Sequence, residues 1–123
     1  MATLIARTFD EPDEVRNPDK TTLAIVELNG AKVARMTAQP GWRWSECVGP
    51  LVGSTTCHAR HFGTVVSGCL HVAHENGTEV EFTAGDIYLI EPGHDGWVVG
   101  DEPYVALEFD PGSVEGFIRL AAG

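Results

Sequence analysis

The sequence predicts a single all-β domain, on three observations. Its 123 residues match the size of one common domain and leave little material for a second core. Its apolar residues fall into strand-length stretches at 23–28, 31–36, 62–66, 70–73, 80–82, 87–90, 96–99 and 104–109. Between them stand turn formers: Asn29-Gly30, Gly41, Gly68, Asn76-Gly77, Gly85-Asp86, Pro92-Gly93 and Gly100-Asp101. Many short strands separated by regularly spaced turns indicate a β-sandwich or β-barrel.

Taken in order, residues 1–20 read as an N-terminal arm, because the stretch 10–20 is polar and holds Pro12 and Pro18. Residues 21–112 carry the β domain. Asn-Gly suits the type I′ turn that joins antiparallel strands, so Asn29-Gly30 and Asn76-Gly77 mark hairpins. After the second, Thr78, Val80 and Phe82 alternate with Glu79, Glu81 and Thr83, which places a Glu face toward water. Residues 113–123 read as a short C-terminal helix: Ser113 can cap it, Glu115 lies in its first turn, and Val114, Phe117, Ile118 and Ala121 share one face. A flap on the β domain and a dimer contact are both open uses for it.

Composition excludes several function classes. With 43% hydrophobic and 21% charged residues the chain is too mixed for disorder. A formal net charge of −10 with only eight basic residues argues against a nucleic-acid partner, since phosphate binding needs clustered Lys and Arg. No apolar run is long enough to cross a bilayer, so no membrane partner is expected. The first residues lack the basic start and long apolar stretch of a secretion signal, which predicts a cytoplasmic protein. Cys47, Cys57 and Cys69 are then expected as reduced thiols.

Two strings carry a family resemblance. The first is Thr55-Thr56-Cys57-His58-Ala59-Arg60-His61, followed by Gly68; the second is the run from Gly85-Asp86 through Pro92-Gly93-His94. They resemble the two cupin motifs, His-x-His with a following Glu and Gly, and Gly with a following Pro-x-Gly and His. The match spans residues 38–110 and implies a single-domain jelly-roll β-barrel, with a homodimer formed through strand edges. Aligned on Gly68, Thr55 and Cys57 occupy the two His positions and His61 the Glu position. Aligned on Gly85 and Gly93, Gly96 stands where the last His belongs. None of the four standard metal ligands is retained, although the spacing is. A narrower resemblance, to small bacterial cupin-domain proteins of which some are fused to nucleotide cyclases, rests on Gly41-Trp42-Arg43-Trp44-Ser45, Cys57-x3-His61-x-Gly63 and the run from Pro92 to Pro103. It implies relatives and no particular activity.

On an extended strand Cys57, Ala59 and His61 face one side, and His94, two residues before the position of the last cupin ligand, is expected to face inward as well. Cys57, His61 and His94 with an open position would suit one divalent metal, zinc or iron. Four residues of straight strand cover about 13 Å, whereas ligands of one zinc each lie about 2 Å from it, so a metal site requires a bend between Cys57 and His61. The alternative has no cofactor: Cys57 packs as a small apolar residue and the histidines hydrogen-bond in a polar pocket. His94 and His61 are the candidate catalytic residues, since imidazole titrates near neutral pH. Trp42 and Trp44 alternate around Arg43 in the sequence and so are expected to share one face; core or dimer packing is the default for them, and the alternative is a ligand-binding wall that Tyr88 and Trp97 join. Glu108 is a further ligand or base if it points inward. Cys47 and Cys69 are expected to pack, and His58, His71 and His74 to lie at the surface.

Two functions follow. The first is a small-molecule-binding cupin domain that serves as a sensory or binding module. The second is a zinc- or iron-dependent enzyme such as an isomerase, cyclase, lyase or dioxygenase.

Overall fold

Tight turns set the strand pairing, and the Asn29-Gly30 hairpin shows how. Both residues take positive φ, 48° and 86°, the pair of left-handed conformations that a type I′ turn demands. That turn joins β2 (Thr21–Leu28) to β3 (Ala31–Ala38) in a register running from Leu28 opposite Ala31 to Thr21 opposite Ala38. The computed structural model describes residues 3–109 of the chain; the helix expected at 113–123 lies outside them.

All eight expected strands are present, as β2, β3, β4 (His61–Ser67), β5 (Cys69–His74), β6 (Glu79–Thr83), β7 (Ile87–Ile90), β8 (His94–Val98) and β9 (Tyr104–Glu108). A ninth, β1 (Glu14–Arg16), lies within the expected arm and pairs with β2. The arm is held there by charge: the Asp13 carboxylate accepts the Glu27 backbone N–H at 2.7 Å and Arg7 at 3.1 Å. The strands form two sheets, ordered β1-β2-β3-β9-β4-β7 and β6-β5-β8, every pairing antiparallel. Among the described residues neither sheet closes on itself, so the architecture is a two-sheet jelly roll rather than a closed barrel.

The inner faces meet in one core that includes Leu23, Ile25, Met36, Val65, Leu70, Val72, Tyr88, Ile90 and Ala106. The alternation of strand side chains decides which residues enter it. In β9, Tyr104, Ala106 and Glu108 are buried, with Val105 and Leu107 half-buried between them. Two four-residue helices, α1 (Trp44–Cys47) and α2 (Gly49–Val52), interrupt the stretch that the alternation of Trp42, Arg43 and Trp44 suggested was extended. Asp95 of β8 accepts the Ser45 N–H at 3.0 Å and so satisfies one of the donors that a helix start leaves unpaired. Among the described residues no helix is long and apolar enough to cross a membrane.

Candidate metal centre

The site begins with a backbone contact. Cys57 and His94 form an isolated antiparallel bridge, in which the Cys57 N–H donates to the His94 carbonyl at 2.6 Å and the Gly93 N–H donates to the Cys57 carbonyl at 2.7 Å. The chain then bends through residues 58–60 and enters β4 at His61. This is the bend that a shared ligand site requires. It leaves the Cys57 sulfur 3.4 Å from His61 Nε2, and the donor atoms of Cys57, His61 and His94 all lie within 4.8 Å of one another, each residue buried.

Neighbouring groups orient the two imidazoles. His61 Nδ1–H donates to Glu108 Oε1 at 2.7 Å, and the Tyr88 hydroxyl donates to Glu108 Oε2 at 2.9 Å. His94 Nδ1–H donates to the Glu91 carbonyl at 2.8 Å. A carbonyl oxygen only accepts, so this bond places the proton on Nδ1 and leaves Nε2 of His94 as the coordinating atom. A carboxylate or carbonyl behind the imidazole is the usual support of a metal-ligating histidine.

Electrostatics follow from the same contacts. Burial pushes the Cys57 thiol up, but hydrogen bonds to His61 and His94 and their positive charge outweigh it and bring the thiol down to about 6. Burial opposes a charge on His61, yet the Glu108 carboxylate and the Cys57 sulfur lift it to about 10. Burial and the neighbouring Glu108 charge raise Tyr88 well above the ordinary phenol value, so it stays a donor. The thiols of Cys47 and Cys69 are both pushed up, chiefly by burial.

A cavity of about 30 Å³ adjoins the site, walled by Trp42, Trp44, Tyr88, His61, His94 and Glu108 together with apolar residues. A wider groove of about 220 Å³ shares His94, Val72 and Ile90 with it and runs past Val80, Phe82 and Leu89. Trp97 is not part of either wall. Because His94 points inward from β8, Trp97 three residues on points the other way; it stacks on His71 at 4.6 Å and under the Arg43 guanidinium at 4.4 Å. His58 is exposed. His71 sits between Glu79 and Glu81, and His74 bonds the Pro92 carbonyl. Sequence reasoning left Glu108 undecided between inside and outside. The parity it shares with Tyr104 and Ala106 on β9 would have placed it inward.

No family model and no curated protein matches the chain. Solved structures do. An uncharacterised protein with a double-stranded β-helix domain from Klebsiella pneumoniae is 25% identical, with TM-score 0.56 over 87% of this chain and 84% of that one. A protein of unknown function from Rhizobium leguminosarum is 18% identical, with TM-score 0.62 over 89% and 99%. A sugar phosphate isomerase of the cupin superfamily from Silicibacter pomeroyi is 20% identical, with TM-score 0.53 over 73% of this chain and 58% of that one. The fold is that of the cupins.

Measured against the cupin pattern, this site keeps two of the four ligand positions with altered residues, Cys57 and His61, and takes its third donor from His94. A thiolate and two imidazoles are good zinc ligands, and three protein ligands leave a fourth position for another molecule. The donor set therefore fits a single metal ion.

Proposed function

We propose that the chain is a metal-dependent cupin in which Cys57, His61 and His94 hold one ion, zinc by donor chemistry, at the wall of a small cavity that binds a small molecule. The observation that supports this most strongly is the convergence of the three donor atoms within 4.8 Å, with Nδ1 of both histidines already engaged by Glu108 and the Glu91 carbonyl. A bound zinc ion would supply Lewis acidity toward an oxygen of the small molecule. Zinc has no redox chemistry, so an isomerase, cyclase or lyase fits this donor set better than a dioxygenase. As ligands, His61 and His94 hold the ion rather than carry protons. Glu108 keeps His61 in place, and Trp42, Trp44 and Tyr88 shape the space.

A metal-free binding module is the second reading. It is favoured by the direct Cys57–His61 contact at 3.4 Å, which satisfies both groups without an ion. Elemental analysis of the full chain, purified without metal-affinity tags, separates the two. About one zinc per chain, lost in His61→Ala, is expected; only trace metal after reconstitution with zinc would leave the metal-free module standing.

A further inference from the structure

His94 stands in the walls of two spaces, the small cavity and the wider groove of about 220 Å³. The groove opens between β6 and β7, the strands that end the two sheets. Val72, Val80, Phe82, Leu89 and Ile90 supply its apolar wall. Phe82 rests on Tyr88 with ring centres 5.3 Å apart, whereas Val80 and Leu89 are 45% and 51% exposed, so apolar surface in the groove stays open to water. Its polar residues already have partners. His74 Nε2–H donates to the Pro92 carbonyl at 2.8 Å and its Nδ1 accepts the Asn76 N–H at 3.0 Å. Asn76 Oδ1 accepts the Thr78 N–H at 2.9 Å. Glu91, the one carboxylate among the described lining residues, accepts Arg60 Nε–H at 2.9 Å.

We infer that this groove is the tail subsite of the site's small molecule, which is an amphiphile: a metal-binding oxygen head at the ion held by His94, and an apolar chain or single ring laid between Val80 and Leu89. Continuity fixes the order of the parts, because the groove shares His94, Val72 and Ile90 with the cavity beside the ligands. The partnered polar groups fix the character of the tail. A ligand gains little by competing for hydrogen bonds already made, and gains about 0.8 kcal/mol for each methylene group it buries against apolar wall. Volume fixes its length. At about 30 Å³ for each water-sized group, 220 Å³ takes roughly seven of them. The inference deepens the proposed function and rests on it for the head of the molecule, but not for the tail.

Two homologous series test it by calorimetric titration of the full-length protein: straight-chain hydroxamic acids of two, four, six, eight and twelve carbons with zinc-loaded protein, and 1-alkanols of the same lengths with zinc-free protein. Each added carbon is expected to tighten binding about fourfold, the equivalent of roughly 0.8 kcal/mol, until the gain stops near eight carbons as the groove fills. Val80→Asp and Leu89→Asp place a charge in the groove at half-exposed positions and should flatten both series. Val66→Asp, at a site 52% exposed and outside the groove, should keep them. Equal affinity at all lengths would overturn the inference, as would affinity still rising at twelve carbons or a gain lost equally in Val66→Asp. A dimer that dissociates in Leu89→Asp, with no gain from chain length, would give the groove to a second copy and overturn it too. If alkanols gain with length but hydroxamic acids bind no tighter than alkanols, the metal reading fails and the tail subsite stands. If the two-carbon hydroxamic acid binds only with zinc and longer chains add nothing, the reverse holds.

Discussion

Alanine at position 63 adds one methyl group at a place that cannot accept it. Gly63 lies in β4, opposite Glu108 of β9 on one side and Tyr88 of β7 on the other. A Cβ there would stand 2.1 Å from the Leu107 carbonyl oxygen, 3.1 Å from its carbon and 2.9 Å from the Tyr88 hydroxyl. Cβ atoms do not approach neighbours closer than 3.0 Å, so Leu107 would have to withdraw by about 0.9 Å. Leu107 belongs to a strand paired on both sides, with β3 and β4, and it cannot retreat without opening a ladder. Overpacking costs about 1–3 kcal/mol and sometimes more. The obstacle is backbone, which sets the expectation near the upper end. Gly63 is not among the glycines at positive φ, so the conformational preference of alanine offsets only about 0.4–1 kcal/mol. A net loss of about 2–3 kcal/mol is expected, a fall of roughly 8–12 °C in Tm at this chain length. Displacing the Tyr88 hydroxyl also loosens the Glu108 carboxylate behind His61. The assay is calorimetric melting of Gly63→Ala beside Gly30→Ala, where φ is +86° but nothing lies within 4 Å of the new methyl. A Gly63→Ala protein that melts within 2 °C, roughly half of one kcal/mol, of the parent, or no lower than Gly30→Ala, would refute the packing of β4 against β9.

Three further outcomes are expected. In zinc-free protein, ultraviolet absorbance should report a single thiolate forming near pH 6, the value set for Cys57 by His61 and His94 against its burial; Cys57→Ser should remove it and His61→Ala should move it upward. Stability in urea should be level between pH 6.5 and 9. The lowered Cys57 value contributes fully above 9 and is lost as pH falls through about 6, whereas the raised His61 value contributes fully below 6.5 and is lost as pH rises through about 10; the two offset between these limits, and stability falls above pH 9. Glu108→Gln should bring the His61 value down from about 10, read from imidazole NMR shifts, and Glu108→Ala should cost about 3–5 kcal/mol because it breaks a buried pair; an unmoved His61 titration in the Gln variant would mean that Glu108 does not set its charge.

The strands were legible because turn chemistry and alternation act locally. Asn29-Gly30 can scarcely do anything but reverse the chain, and the Glu79 and Glu81 face of β6 is exposed as its polarity requires. Between Cys57 and His61 the extended strand that the rule assumes is absent, because the chain bends at 58–60; what carried over was the geometric condition that a metal would need such a bend. The rule also held where it was not applied. A strand that points His94 inward must point Trp97 outward, and there the indole packs against Arg43 and His71 instead of lining the cavity. Non-local contacts stayed invisible. The short helix α1 depends on Asp95, fifty residues further on, for its first-turn hydrogen bond. Strand β1 exists because Asp13 finds the Glu27 N–H. The three donor atoms meet through a single backbone bridge between residues 57 and 94, and no spacing in the sequence announces it.

The polar content of the core bears on function through its cost. Cys57, His61, His94 and Glu108 are all at most 5% exposed, and a core of this size has little stability to spare, since whole domains hold only about 5–15 kcal/mol. Replacing a buried ionic cluster by apolar side chains of similar volume is often neutral or stabilising by about 1–4 kcal/mol, so folding alone does not require these four residues. Their arrangement also points three donor atoms at one another. Glu108 and the Glu91 carbonyl occupy the Nδ1 atoms and turn the Nε2 side of both rings toward the Cys57 sulfur. The oriented nitrogens and the thiolate suit a cation. His61 and His94 also line one small cavity, which is why a metal ion and a small molecule are expected to occupy neighbouring positions there.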